Sequence, residues 1–163
     1  MNSDKYPLKD LLRVRQFRED SAAAEMIKWR MDVEVAKEAL KERKQELADY
    51  HKRLPALEQQ AYDAVFDQEI RLKELDELKL KVKLLRDKGI VFQDRVREAS
   101  QNVVTAETGL QRAQAEHRSA AKDREKVDEH KEIWLQEVRR ENEVHLEKEM
   151  EDFRVRKGDF DAV

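Results

Sequence analysis

The sequence predicts an all-α fold: two long helices packed as an antiparallel coiled-coil hairpin, elongated. Three observations predict it. First, apolar residues recur at alternating steps of three and four in two stripes. One holds Met26, Trp29, Val33, Ala36, Leu40, Leu47, Tyr50, Leu54, Leu57, Ala61 and Ala64. The other runs from Leu75 and Leu78 through Val82, Leu85, Phe92, Val96, Ala99, Val103, Ala106, Leu110 and Ala113 to Ala120, Val127, Trp134 and Val138. That spacing keeps each stripe on one face of a helix. Second, breakers are scarce, with 3 Gly and 2 Pro in 163 residues, and 44% of the chain is charged, the composition of long helices. Third, the seven-residue period argues against disorder, the other reading of high charge, which has no reason to repeat Leu, Val and Ala in phase.

The first helix is expected over about 6–66. Pro7 suits a first helical position, where a missing N–H costs nothing. Pro55 deletes one backbone bond, yet Tyr50, Leu54, Leu57 and Ala61 pass through it in register, so it reads as a kink and not an end. The register breaks between Ala64 and Leu75, which places the turn at about 67–72, with Asp67 as a possible N-cap. Arg86-Asp87-Lys88-Gly89 is a competing Gly-bearing stop. The second stripe keeps one frame from Leu75 to Val96 across it, which favours the earlier turn. The second helix then runs over about 73–157 with a short frayed tail, in a single hairpin of residues 1–163. Its last part, from about Glu129, should project beyond the start of the first. Arg43, His117, Arg124 and Lys131 interrupt the stripes. They read either as long side chains reaching sideways to water or as residues that fix register or mark a weakened, mobile segment.

So thin a fold encloses no pocket, and the chemistry of catalysis is missing. Gly89, Gly109 and Gly158 are isolated, so no glycine loop cradles a phosphate. His51, His117, His130 and His145 lack paired metal-ligand spacing, and Glu141 with His145 reads as a solvated pair. No enzyme activity, cofactor or metal is expected. Lys79, Lys81, Lys83, Arg86 and Lys88 make a basic run, but Leu80, Val82, Leu84 and Leu85 between them mark it as the outside of a helix with a buried side. No nucleic-acid motif accompanies it. The net charge is −3 and Cys is absent, which fits a reducing cytosol. Residues 1–10 lack the basic segment and apolar run of a signal peptide, and no stretch approaches the roughly 20 apolar residues of a membrane span.

The two ends carry more than composition. The chain opens Tyr6-Pro7-Leu8-Lys9-Asp10-Leu11-Leu12-Arg13-Val14-Arg15, followed by Arg18-Glu19-Asp20. Later come His130-Lys131-Glu132-Ile133-Trp134 with Glu137, and an acidic stretch through Glu147, Glu149, Glu151 and Asp152 to Phe153. With Leu75-Asp76-Glu77-Leu78 and Leu84-Leu85-Arg86 between them, these resemble the YscO family of type III secretion proteins, related to the flagellar FliJ proteins. The resemblance implies a hairpin similar to the central stalk of rotary ATPases. It implies as partners the hexameric export ATPase, the export gate and secretion chaperones, at a cytoplasmic position peripheral to the base of the apparatus. Tyr6, Leu8, Leu11, Leu12, Arg13, Arg15, Arg18 and Phe153 are then the candidate contacts at the termini. Tyr62, Phe66, Ile70 and Leu72 are those at the turn. A chaperone-binding escort working through the helix faces, and a self-associating scaffold, are the alternative functions.

Overall fold

The computed structural model describes residues 5–66, 69 and 71–160, with side chains through Lys157. Asp67 and Ile70 therefore lie outside the described residues. The fold is all-α: helix α1 spans Lys9–Phe66 and helix α2 spans Leu72–Phe160. The fold class is the two-helix antiparallel hairpin that the two stripes predict. Helix α1 opens behind a turn at Pro7 and Leu8, with the Lys9 N–H donating to the Tyr6 carbonyl at 3.2 Å. Asp10 in its first turn complements the positive end of the helix dipole. Helix α2 is started by its own third residue: the Glu74 carboxylate accepts from the Arg71 N–H at 3.1 Å, half of a capping box. Pro55 lies inside α1. The carbonyl its missing N–H would have bonded belongs to His51, and both residues are exposed, so water can satisfy that oxygen.

The chain forms two compact units, each drawing on both helices. One joins α1 up to Ala24 with α2 from Gln114; the other is Glu25–Ala113. In the first, Tyr6, Leu12 and Val127 form a small core against which Trp134 packs. Tyr6 sits 5.5 Å from Trp134 between ring centroids, and its hydroxyl donates to the Val127 carbonyl at 3.3 Å and lies 2.9 Å from Nδ1 of His130. Burial, helped by the Asp128 carboxylate, pushes the phenol above its ordinary value and keeps it a donor. Arg15 meets Asp123 at 3.1 Å, so numbering falls along α2 as it rises along α1.

In the second unit the antiparallel register continues through Lys37 with Glu107 and Arg86 with Glu58 to a core of Ala61, Leu78 and Val82. The seam is lean. Ala99, Ala106 and Ala113, seven residues apart, give α2 a row of small buried side chains. Against so little area per turn, two aromatic rings of α1 matter more than their number suggests. Tyr50 lies over Gly89, and Trp29 lies over Gly109. The two sites differ. A Cβ at Gly89 would meet Tyr50 at 3.5 Å, an ordinary contact. Gly89→Ala is therefore expected to stabilise this unit by about 1 kcal/mol through helix propensity, read as a higher urea midpoint with unchanged slope.

Candidate functional site

Burial along each helix decides which side chains are free to meet a partner. Of the candidates at the termini, Tyr6 and Leu12 are buried between the helices, and Arg15 is tied to Asp123. Leu8 and Leu11 stand at the edge of that packing, and Arg13 and Arg18 are exposed. Phe153 is 70% exposed but does not join them. It lies 19 residues past Trp134 on the same helix, roughly 28 Å further along. At the turn, Tyr62, Phe66 and Leu72 are exposed. They stand beside a groove lined by Ala61, Ala64, Val65, Glu74, Glu77, Leu78 and Lys81.

The cover that α1 gives α2 reaches further than the stripes predict. Trp134 and Val138 are half-buried where an uncovered helix was expected from about Glu129. For Trp134 the reason is Tyr6, whose ring spans from Val127 to Trp134 ahead of the first turn of α1. From Arg139 to Lys157 every residue is exposed. This arm carries Leu146, Met150 and Phe153 at steps of four and three, an apolar face on a helix whose carboxylates gather in residues 141–152 between cations at both ends.

Two further exposed rows escaped the sequence reading. On α1 they are Ile27, Met31 and Val35, at steps of four. On α2 they are Leu80, Leu84 and Val91, with Ile90 beside them. Leu80 and Leu84 are 57% and 59% exposed, which corrects their assignment to a buried side: Leu78, Val82 and Leu85 alone face inward there. The signal was present as a second period on the outer face, behind the residues that form the seam.

The polar residues in the stripes divide into two kinds. Arg124 bonds Glu19 across the seam and Asp128 along its own helix, and these bonds raise its already high pKa. It ties register. Arg43 turns to both Glu46 oxygens on its own helix, at 2.8 and 2.9 Å, and ties nothing across. His117 and Lys131 are half-buried. Among the described residues no group of three or more His, Cys, Asp or Glu converges as for a metal. Among the same residues no helix is long and apolar enough to cross a membrane. The arrangement offers helix faces and an uncovered arm, the equipment of an interaction protein.

Comparison with known proteins agrees with this architecture. The family model for type III secretion protein YscO matches residues 8–156. Among solved structures, the type III secretion protein YscO from Vibrio parahaemolyticus is similar at a TM-score of 0.83 and 26% identity, over 90% of this chain and 92% of that one. A protein from Chlamydia trachomatis described as a YscO homolog, CT670, is similar at 0.72 and 26% identity, over 91% of each chain. No curated protein matches the sequence.

Proposed function

The chain belongs to the YscO family of type III secretion proteins, and on that premise we propose that it is a stalk that associates with the hexameric export ATPase and assists delivery of substrates or their chaperones. The observation that carries the reading is the arm. Residues 139–157 continue α2 as an exposed single helix with an apolar face, narrow enough to enter the mouth of a ring. Leu146, Met150 and Phe153 are its anchors, and Leu8 and Leu11 add apolar edge where the paired helices begin. Arg13, Arg18 and the acidic stretch govern encounter rate and its salt dependence more than affinity. The exposed cluster of Tyr62, Phe66 and Leu72 is free to meet another component, for which the export gate is the family's candidate. On this reading the protein works at the cytoplasmic base of the apparatus, and hydrolysis belongs to the ATPase.

The test is hydrolysis by the cognate ATPase with the protein added at substoichiometric to equal amounts. Stimulation is expected. Leu146→Ser with Phe153→Ser should raise the half-saturating concentration on the order of tenfold, because buried apolar anchors dominate such contacts. Helicity by circular dichroism should hold, since both side chains already face water. Neither binding nor stimulation by the unsubstituted protein would sink the stalk reading. A second function, escort of secretion chaperones, is favoured by the exposed row Ile27, Met31 and Val35, which presents the spacing a partner helix reads. Co-elution with cognate chaperones, lost on Met31→Asp, is the expected result.

A further inference from the structure

Two segments of α2 carry opposite charge around matching apolar rows, and nothing in the ATPase reading uses the first of them. Residues 79–91 hold five cations, Lys79, Lys81, Lys83, Arg86 and Lys88, against one carboxylate, Asp87. That is a sharp local departure in a chain whose net charge is −3. Arg86 is engaged with Glu58 at 2.8 Å, and Lys88 stands 6.0 Å from the centre of the Tyr50 ring. Lys79, Lys81 and Lys83 form no ion pair among the described residues. At about 100° per residue, Lys81 and Lys83 flank the row of Leu80, Leu84 and Val91 on either side. Residues 141–153 are the complement: six carboxylates against Lys148, around Leu146, Met150 and Phe153. Glu143 and Glu149 flank that row on either side, by the same geometry.

We propose that the acidic segment 141–153 of one molecule docks, row on row, against the basic face at residues 79–91 of a second copy. The second copy is required because both segments belong to one continuous helix, and a helix cannot pair with its own continuation. The charges choose the partner: Lys81 and Lys83 meet the carboxylates of the arm while Leu80 and Leu84 are covered by Leu146 and Phe153. An anionic membrane fits the basic face less well. Asp87 stands within the apolar row, between Leu84 and Val91, and a bilayer would have to take it in with the leucines. A helix centred on Leu80 and Leu84 can end before Asp87, one turn further on, and leave it beside water. Three turns of helix bury less than a standard specific interface, so the association is weak. It is also salt-sensitive, because its charges are solvent-exposed.

Sedimentation equilibrium of the full chain tests this. Reversible self-association is expected in low salt, weakening about tenfold or more as the Debye length falls from about 30 to 8 Å. Lys81→Glu with Lys83→Glu should abolish it, as should Glu143→Lys with Glu149→Lys, and an equimolar mixture of the two variants should restore association. The first variant should leave ATPase stimulation unchanged, which separates this proposal from the stalk reading. A monomer at all concentrations in low salt overturns it, as does association that both variants retain or a mixture that fails to restore it. Binding of the monomeric protein to phosphatidylglycerol vesicles, lost with Lys81→Glu and Lys83→Glu, would overturn it in favour of a membrane surface.

Discussion

Tyr50→Ala is expected to remove about 4 kcal/mol from the unit built on residues 25–113, the largest loss from any single truncation in it. Tyr50 is 2% exposed, and its ring lies over Gly89 and 5.0 Å from the Phe92 ring. Truncation would open a cavity whose floor is a glycine, with no side chain able to swing into it. Its neighbours on a lean seam are held by their own helix and cannot close the gap by collapse. The hydroxyl donates to the Leu85 carbonyl, which as a helical oxygen has a backbone partner of its own. Tyr50→Phe keeps the ring and should therefore lose about 1 kcal/mol or less. Urea unfolding followed by circular dichroism, and by Trp29 fluorescence in a Trp134→Phe background, measures both. A loss below about 1 kcal/mol for Tyr50→Ala would show that the ring does not carry the packing.

Gly109→Ala should destabilise the same unit by about 2 kcal/mol, although alanine is the better helix former. A Cβ on Gly109 would fall 2.5 Å from two carbons of the Trp29 six-membered ring and 2.7 Å from a third, inside any permitted contact. The flat face of a rigid indole cannot yield as the tip of a lysine would. Relief requires Trp29 to leave its rotamer or the helices to part, and both uncover the row that Ala106 and Ala113 bury. The sign should reverse when the ring is removed. In a Trp29→Ala background, where unfolding is followed by circular dichroism, Gly109→Ala should stabilise by about 1 kcal/mol, the ordinary propensity gain. The reversal is a coupling energy near 3 kcal/mol, and additive effects would refute direct contact between ring and glycine. Gly89, whose Tyr50 neighbour stands at ordinary distance, serves as the internal control.

These two glycines mark where reading the sequence stopped. Gly89 fills a stripe position between Leu85 and Phe92 and Gly109 stands one residue off it beside Leu110, but periodicity does not say which ring of the facing helix either one meets. Their difference comes from the residue opposite, and that depends on register. The same holds for the two stripe arginines. Arg124 finds Glu19 on the facing helix, whereas Arg43 finds only Glu46 on its own. Tyr6 stood in the sequence as an end contact for a partner; the fold uses it to cap the first unit and extend the cover of α2 to Trp134. The exposed rows on the outer faces were legible in principle as a second period. One stripe per helix already accounts for the fold, so the pairing of the helices does not require them.

What the sequence determined by itself is the kind of molecule. Scarce breakers make long helices, and heptad spacing makes each helix bury one face, because both are local properties that any segment carries wherever it lies. The inward half of each helix is therefore written in the chain: Val33, Tyr50 and Ala61 on one side, Leu78, Ala99, Ala106 and Val127 on the other, are all buried. What only the tertiary structure decided is which residue meets which, and so what remains uncovered. Pairing depends on residues as many as 124 apart, as with Tyr6 and His130, and register is set by the whole seam at once. The surfaces left free, the arm from Arg139 and the outer rows at Ile27 and Leu80, follow from that sum. A partner can use only what the seam does not.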